Sequence, residues 1–156
     1  MHEYEHTQPG TFMRAMTGLW VVIFVVGSVV MLALGGQEVA GAVIPGIVML
    51  AVFTAIIVAL FHSLTVRISR SDIAISFGVG LIRKRFPIGD IRSVRIARNR
   101  WYNGWGIRKI RGGWLYNVSG FDAIEIQLKN ERKYRIGTDQ PMKLLAAVES
   151  ALAGPS

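Results

Sequence analysis

The chain has 156 residues, 51% of them hydrophobic, and a formal net charge of +8 at pH 7. Its mean hydropathy of +0.38 argues against an ordinary soluble domain, because soluble domains rarely combine an apolar surplus with a strong net charge. The lack of cysteine excludes a thiol nucleophile and a thiolate metal site.

Residues 1–14 form a polar N-terminal tail ahead of the first apolar segment. Residues 2–6 read His-Glu-Tyr-Glu-His, which matches the H-E-x-x-H pattern of zinc proteases. That pattern requires a helix that carries both histidines on one face, with the glutamate beside the metal-bound water. Pro9 and Gly10 follow at once, and no apolar face supports a helix. We therefore interpret the match as coincidental, within a disordered tail, and we expect no metal site.

Two uncharged, apolar runs follow, from Ala15 to Leu34 and from Val39 to Val66. Each exceeds the roughly 18–20 apolar residues that cross a bilayer core. We predict a transmembrane helical hairpin over residues 15–63, with helices at 15–34 and about 41–63. Buried helices of a soluble bundle would need a polar stripe, which neither run has. A cleaved signal peptide would need a basic start, and Arg14 is the only basic residue before the first run.

The basic residues that flank this hairpin predict its orientation. Arg14 precedes the first run, Arg67 and Arg70 follow the second, and the turn has neither lysine nor arginine. The positive-inside rule then predicts an integral protein of the inner (plasma) membrane, with both termini and the following domain on the cytoplasmic side.

The second predicted helix contains a ridge of small residues. Ala51, Ala55 and Ala59 recur every four residues, a spacing that lets two helices approach closely. We expect this ridge to pack against the first helix or against another copy of the protein, and we favour the first arrangement.

Residues 64–153 change from apolar runs to alternation, which predicts about seven antiparallel strands. Pro141 begins a final helix, whose apolar face carries Leu144, Leu145, Val148 and Leu152. This order predicts an α+β, mostly-β domain, in which a bent sheet or partial barrel is plugged by the helix. The alternating side chains expected in the core are Leu64, Val66, Ile68, Ile73, Ile75, Phe77, Val94, Ile96, Trp114, Tyr116, Val118, Ile124, Ile126, Leu128, Tyr134 and Ile136.

Four blocks of this domain are similar to a known family. They are DIRSV at 90–94, GWGIR at 104–108, GGWLYNVSG at 112–120 and RIGTD at 135–139. Together with the two preceding spans they resemble the bacterial pleckstrin-homology-like domains of small membrane proteins, over about residues 64–153. The resemblance implies a pleckstrin-homology fold, no catalysis, no cofactor and no settled ligand.

The chain departs from the phosphoinositide-binding pattern of pleckstrin-homology domains. Those domains carry a basic pattern across their first hairpin and a tryptophan in their final helix. Here the basic run Arg83–Arg85 lies on the third predicted strand, and the final helix has no tryptophan. We therefore do not expect specific inositol-phosphate recognition, whereas non-specific contact with anions stays open.

Basic charge is concentrated in one part of the domain. Residues 67–111 contain 12 Lys and Arg and two acids, which gives a net charge of +10. Residues 112–156 contain equal numbers of basic and acidic residues, so their net charge is zero. Within residues 98–111, glycines and aromatic side chains alternate with this charge, as expected of a loop at a membrane interface or a partner-binding surface. The residues predicted to contact an anionic surface or a partner are Arg98, Arg100, Trp101, Trp105, Arg108, Lys109 and Arg111.

These patterns predict a non-enzymatic, membrane-anchored binding module, since no catalytic constellation is found. Its expected partner is a protein, including another copy of the chain, or the anionic lipid surface. The alternative is a structural or accessory membrane subunit that acts through helix packing at Ala51, Ala55 and Ala59. Nucleic acid is not an expected partner, because nearby anionic lipid competes for the same arginines.

Overall fold

The computed structural model describes residues 4–154, except the side chains of residues 36–40, 42 and 103. An N-terminal strand precedes a long helical segment, and eight further strands and a C-terminal helix follow. Short 3-10 turns lie at Ile88–Asp90 and Trp101–Asn103. The elements are β1 (Tyr4–Pro9), α1 (Thr11–Phe61), β2 (Ser63–Ile68), β3 (Asp72–Phe77), β4 (Ile82–Pro87), β5 (Ile91–Arg98), β6 (Gly106–Ile110), β7 (Gly113–Asn117), β8 (Asp122–Leu128), β9 (Lys133–Gly137) and α2 (Pro141–Ala153).

The strands form two sheets, ordered β1-β2-β3-β4 and β5-β8-β9-β7-β6. The predicted succession of helical hairpin, mostly antiparallel β domain and C-terminal helix is confirmed. Within the described chain, the domain predicted to contain about seven strands has eight, β2 to β9, and β1 adds a ninth from the N-terminal residues. One pair, β7 and β9, is parallel. This happens because β9 forms a hairpin with β8 and inserts between β8 and β7, which run in opposite directions.

Strand β1 corrects the interpretation of residues 4–9 as part of a disordered tail. It pairs antiparallel with β2, from Tyr4 opposite Ile68 to Pro9 opposite Ser63. Its side chains are mostly polar, so the β2 backbone, and not apolar alternation, holds it in place. A strand also fails the helix requirement of the zinc-protease pattern, two residues of which, His2 and Glu3, lie outside the described residues.

The segment α1 is helical from Thr11 to Phe61, yet its two ends meet. A straight helix of its 51 residues would be about 75 Å long. Instead the Gly10 N–H donates to the His62 carbonyl at 2.8 Å. Midway along, the ring of Phe24 lies 3.8 Å from where a Cβ would stand at Gly46. The chain therefore reverses inside α1, which is a helical hairpin.

Two parts of this hairpin, Thr11–Gly35 and Val43–Phe61, are long and apolar enough to cross a membrane. In the most apolar stretch of the first part only 6% of the residues are buried, and in that of the second part none is buried. The soluble-bundle alternative requires buried helices, and these helices expose apolar side chains on all sides.

The core of the β domain lies between the two sheets and is closed by α2, which packs against β5, β8 and β2. Most of the predicted core is buried, including Tyr116 and Val118. The prediction is wrong for Trp114, which is 42% exposed. It shares a face with Tyr116, but it lies next to the β6–β7 turn, opposite Lys109, at the end of the strand where the core ends. Ile96 is also exposed.

Candidate functional site

One end of the β domain is joined closely to the ends of the helical hairpin. We call this the proximal end, and it comprises Gly10, Ser63, the β3–β4 turn at 78–81 and the loops at 99–105 and 118–121. In that turn the Gly78 N–H donates to the Ser63 carbonyl at 2.9 Å, and the Val79 N–H to the Ala59 carbonyl at 3.1 Å. A Cβ at Gly78 would lie 1.9 Å from the Ala59 oxygen, and φ there is +49°, so only glycine fits.

Trp105 is part of this connection between the β domain and the helical hairpin. Its ring stacks on Phe12 with centroids 3.5 Å apart and lies 5.9 Å from the Phe121 ring. Thr11 Oγ1 and Ser119 Oγ lie 2.8 Å apart beside it. The indole Nε1 is buried and has no hydrogen-bond partner among the described atoms. Trp105 was predicted to contact lipid or a partner, and the structure instead packs it between the hairpin and the β domain.

The loop at 99–105 presents exposed aromatic side chains at the proximal end. The Asn99 N–H anchors it by donating to the Phe121 carbonyl at 2.6 Å. Beyond that anchor Trp101 is 77% exposed and Tyr102 61% exposed. Arg100 Nη1 donates to Tyr102 Oη at 2.9 Å, and its guanidinium lies 5.8 Å from the centre of that ring. Aromatic rings and a cation are thus held together next to the start of α1.

The predicted basic residues do not form one cluster. Arg98 ends β5 at the proximal end, where Asp122 lies opposite it, and Arg108 Nε donates to the Trp105 carbonyl at 3.2 Å. Lys109 points to the other face of β6, beside Trp114. Arg111 follows β6 at its other end, about 17 Å from Gly106 along the strand direction. The structure therefore brings Arg98, Arg100, Trp101, Trp105 and Arg108 together and separates Lys109 and Arg111 from them.

The alanine ridge borders the contact between the two halves of the hairpin. Ala51 and Ala55 are exposed and line a groove with Val21 and Val25 of the first half. Ala59 is half-buried near the Gly78 turn. Two of the three alanines thus leave space beside the first half of the hairpin.

A second exposed apolar group at the proximal end was missed by sequence reasoning. Val79 is 62% exposed and Leu81 78% exposed, in the turn that is bonded to Ala59. A signal for them existed, since Val79 lies between Gly78 and Gly80 and Leu81 follows directly, and apolar side chains in such a turn have no core to enter. They lie on the sheet that holds β3 and β4, whereas Trp101 and Tyr102 follow β5 of the other sheet.

The outer face of the second sheet carries a buried acid between two arginines. Glu125 is 4% exposed and accepts hydrogen bonds from Arg95 Nε at 3.0 Å and Arg135 Nε at 2.7 Å. Burial of the carboxyl raises its pKa, but the two guanidinium groups outweigh burial and hold the pKa below its ordinary value. Arg95 and Arg135 are thereby engaged within the sheet.

Comparison of the chain with family models, with curated proteins and with solved structures finds no match.

Proposed function

We propose that the chain is a non-enzymatic, membrane-anchored binding module whose pleckstrin-homology-like domain contacts anionic lipid headgroups at the cytoplasmic face of the inner membrane. One observation carries the proposal. Trp101 and Tyr102 are exposed at the end of the domain where the apolar hairpin begins, with Arg98 and Arg100 next to them.

The chemistry of that loop suits the boundary between acyl chains and headgroups. Tryptophan and tyrosine favour this layer because their rings are apolar and their tips are polar. Each arginine near an anionic leaflet contributes about 1 kcal/mol, and the attraction falls off within a Debye length of about 8 Å. Asp122 lies opposite Arg98, but neither Arg98 nor Arg100 has an ion pair among the residues that the structure describes, so both guanidinium groups can contact lipid phosphates.

The connection between the hairpin and the β domain fixes the position of this loop relative to the membrane. Backbone hydrogen bonds at Gly10, Gly78 and Val79 and the stacking of Trp105 on Phe12 tie the domain to the hairpin. A hairpin that crosses the bilayer then holds the 99–105 loop at one depth. Under this proposal, the distal end, where the β8–β9 turn lies, faces away from the lipid and stays free for a protein partner.

A spin label placed by single-cysteine substitution tests the proposal in the full chain, which has no native cysteine. We would label Tyr102→Cys, and Asn130→Cys in the distal β8–β9 turn, in liposomes that contain phosphatidylglycerol. We expect the label at 102 to be shielded from a water-soluble nickel complex and the label at 130 to be accessible. The double change Arg98→Gln/Arg100→Gln should raise accessibility at 102.

The control is Lys129→Gln/Arg132→Gln, which removes the same charge from the distal turn and should leave the label at 102 unchanged. Equal accessibility at 102 and 130 would overturn the lipid contact. The function would then be contact of the loop with a protein partner, or helix packing along the exposed face of Ala51 and Ala55.

A further inference from the structure

The outer face of the first sheet contains a polar groove of about 570 Å³ that the 99–105 loop does not touch. Its floor is made of small side chains on β3, Ala74 and Ser76. Opposite them in register, on β4, stand Arg85 and Arg83. The groove thus exists because β3 carries almost no side-chain volume between two strands with long side chains. The lining residues that matter here are Thr65, Arg67, Ala74, Ser76, Arg83 and Arg85.

Positive charge in the groove is uncompensated on the β4 side. Arg67 is paired with Glu5, at 2.9 Å between Nη2 and Oε1. Neither Arg83 nor Arg85 has an ion pair among the described residues. Asp72 is the one acid among the residues that line the groove, and it lies at the distal end, where its Oδ1 accepts a hydrogen bond from Ser69 Oγ at 2.7 Å.

Arg83 is held in position by the turn that precedes β4. Its Nε donates to the Gly80 carbonyl at 2.5 Å, which leaves the two terminal nitrogens free to donate. Ser76 lies directly opposite, and its hydroxyl has no hydrogen-bond partner among the described side chains. Cross-strand neighbours have Cβ atoms about 5 Å apart, so Arg83 and the Ser76 hydroxyl line the same part of the groove.

The groove opens at the level where headgroups would lie. Its proximal end is the Gly78–Gly80 turn, which is bonded to the end of α1 through Ala59. Val79 and Leu81 project from this turn and would enter the interfacial layer of a membrane that the hairpin crosses. Arg83 then lies close to the depth of lipid phosphates, and Arg85 lies two residues, about 7 Å, further out.

We infer that this groove is a phosphate-binding site, in which Arg83, Arg85 and the Ser76 hydroxyl hold the phosphate group of an anionic phospholipid. Guanidinium groups match phosphate oxygens with paired donors, and hydrogen bonds between charged partners are the strong ones. A charged edge strand also prevents pairing with other sheets, and the run Arg83–Arg85 on β4 would serve that purpose without a ligand. The two roles differ in what they require of Ser76.

Native mass spectrometry of the full chain in mild detergent tests the site, with phosphatidylglycerol and phosphatidylcholine offered as competing probes. We expect retention of phosphatidylglycerol, weakened about tenfold or more in Arg83→Gln/Arg85→Gln. Ser76→Leu should cause a similar loss, because it fills the groove without changing its charge. A thermal melt of each variant verifies folding, and Lys129→Gln/Arg132→Gln is the charge-matched control.

Calorimetric titration with inorganic phosphate identifies the carrier of the phosphate group. If lipid binds and free phosphate does not displace it, the ligand is a phospholipid. If free phosphate binds, and the same variants abolish its binding, a soluble phosphate compound occupies the groove. Unchanged binding of both probes in Arg83→Gln/Arg85→Gln and in Ser76→Leu would overturn the site. Arg98→Gln/Arg100→Gln should not affect the groove, so this test is independent of the proposed loop contact.

Discussion

Glu125 shows how one side chain organises the charge on the second sheet. Its carboxylate is buried and bridges Arg95 on β5 and Arg135 on β9, so it links three neighbouring strands. Without Glu125 the two guanidinium groups would repel each other across the face. Arg95 is largely exposed, so solvent screens its part of the interaction.

The effect of Glu125 should depend on pH in a defined direction. Its pKa is lowered in the folded chain, so its stabilising contribution is present above the unfolded pKa of about 4.3 and is lost as pH falls through the folded pKa. At pH 7, Glu125→Gln should lower the free energy of unfolding by about 1–3 kcal/mol. In thermal melts the difference between wild type and variant should shrink below about pH 4.

The matched control for that change is Glu131→Gln. Glu131 pairs with Arg92, but both side chains are more than half exposed, so the loss should stay under about 0.5 kcal/mol at either pH. An equal loss in the two variants at pH 7, or no change with pH in Glu125→Gln, would show that the bridge does not stabilise the sheet.

Single residues also show where sequence reasoning reaches its limit. Alternation predicted the burial of Tyr116 and Val118 and the same burial for Trp114. The first two are buried, but Trp114 lies two residues nearer the β6–β7 turn than Tyr116, at the end of the strand, where no layer covers it. Alternation reports the face of a strand, whereas burial also depends on what lies opposite. The same limit applies to Trp105, whose partner Phe12 is far away in sequence.

At the level of strands and helices, the apolar helical hairpin α1 is inserted between β1 and β2, which are the two strands of a β-hairpin. Pro9 and Ser63 are direct antiparallel partners, and Gly10 bonds to His62 just beyond them. Sequence patterns predicted β2, β3 and α2 because each has its own apolar period. Strand β1 has none, and its partner begins beyond a 51-residue helix, so no local signal could reveal it.

Replacing α1 by a short turn should therefore give a folded, soluble domain. We would remove residues 11–61 and substitute Asn-Gly for Gly10 and His62, because this pair forms the two-residue turn that antiparallel strands prefer. We expect a monomer with a β-type circular dichroism spectrum and a cooperative thermal melt. The deletion removes Phe12 from Trp105 and Phe61 from Phe77, so both Trp105 and Phe77 become more exposed to water.

A chain that begins at Ser63 is the natural comparison, since it lacks β1. It should melt at a lower temperature, because each backbone hydrogen bond between β1 and β2 contributes about 0.5–1.5 kcal/mol net. Equal melting of the two proteins would mean that β1 adds nothing to the domain, and that the pairing of Pro9 with Ser63 depends on the helices.

The arrangement of the complete chain follows from the same insertion. Strand β1 precedes the hairpin and pairs with β2 after it, so both must lie on one side of any membrane that the hairpin crosses. An even number of spans is then required, in agreement with the two apolar segments. The domain is connected to the hairpin on two sides, through Gly78 and through Trp105. The two exposed apolar groups at its proximal end therefore lie next to the spans. They are Val79 with Leu81 and Trp101 with Tyr102.

The side on which the domain lies can be measured with single cysteines in the full chain. The lysines and arginines that flank the hairpin predict that the domain is cytoplasmic and that the turn of the hairpin faces outward. In intact cells, Gln37→Cys should react with a membrane-impermeant maleimide, whereas Ala153→Cys, at the end of α2, should react only after the cells are lysed. The reverse labelling would place the domain outside, where the cytoplasmic leaflet's anionic lipids could not reach Arg98, Arg100 or the Arg83 groove. Labelling of both positions in intact cells would show that the hairpin does not cross the membrane, and the proximal end would then have to face a protein.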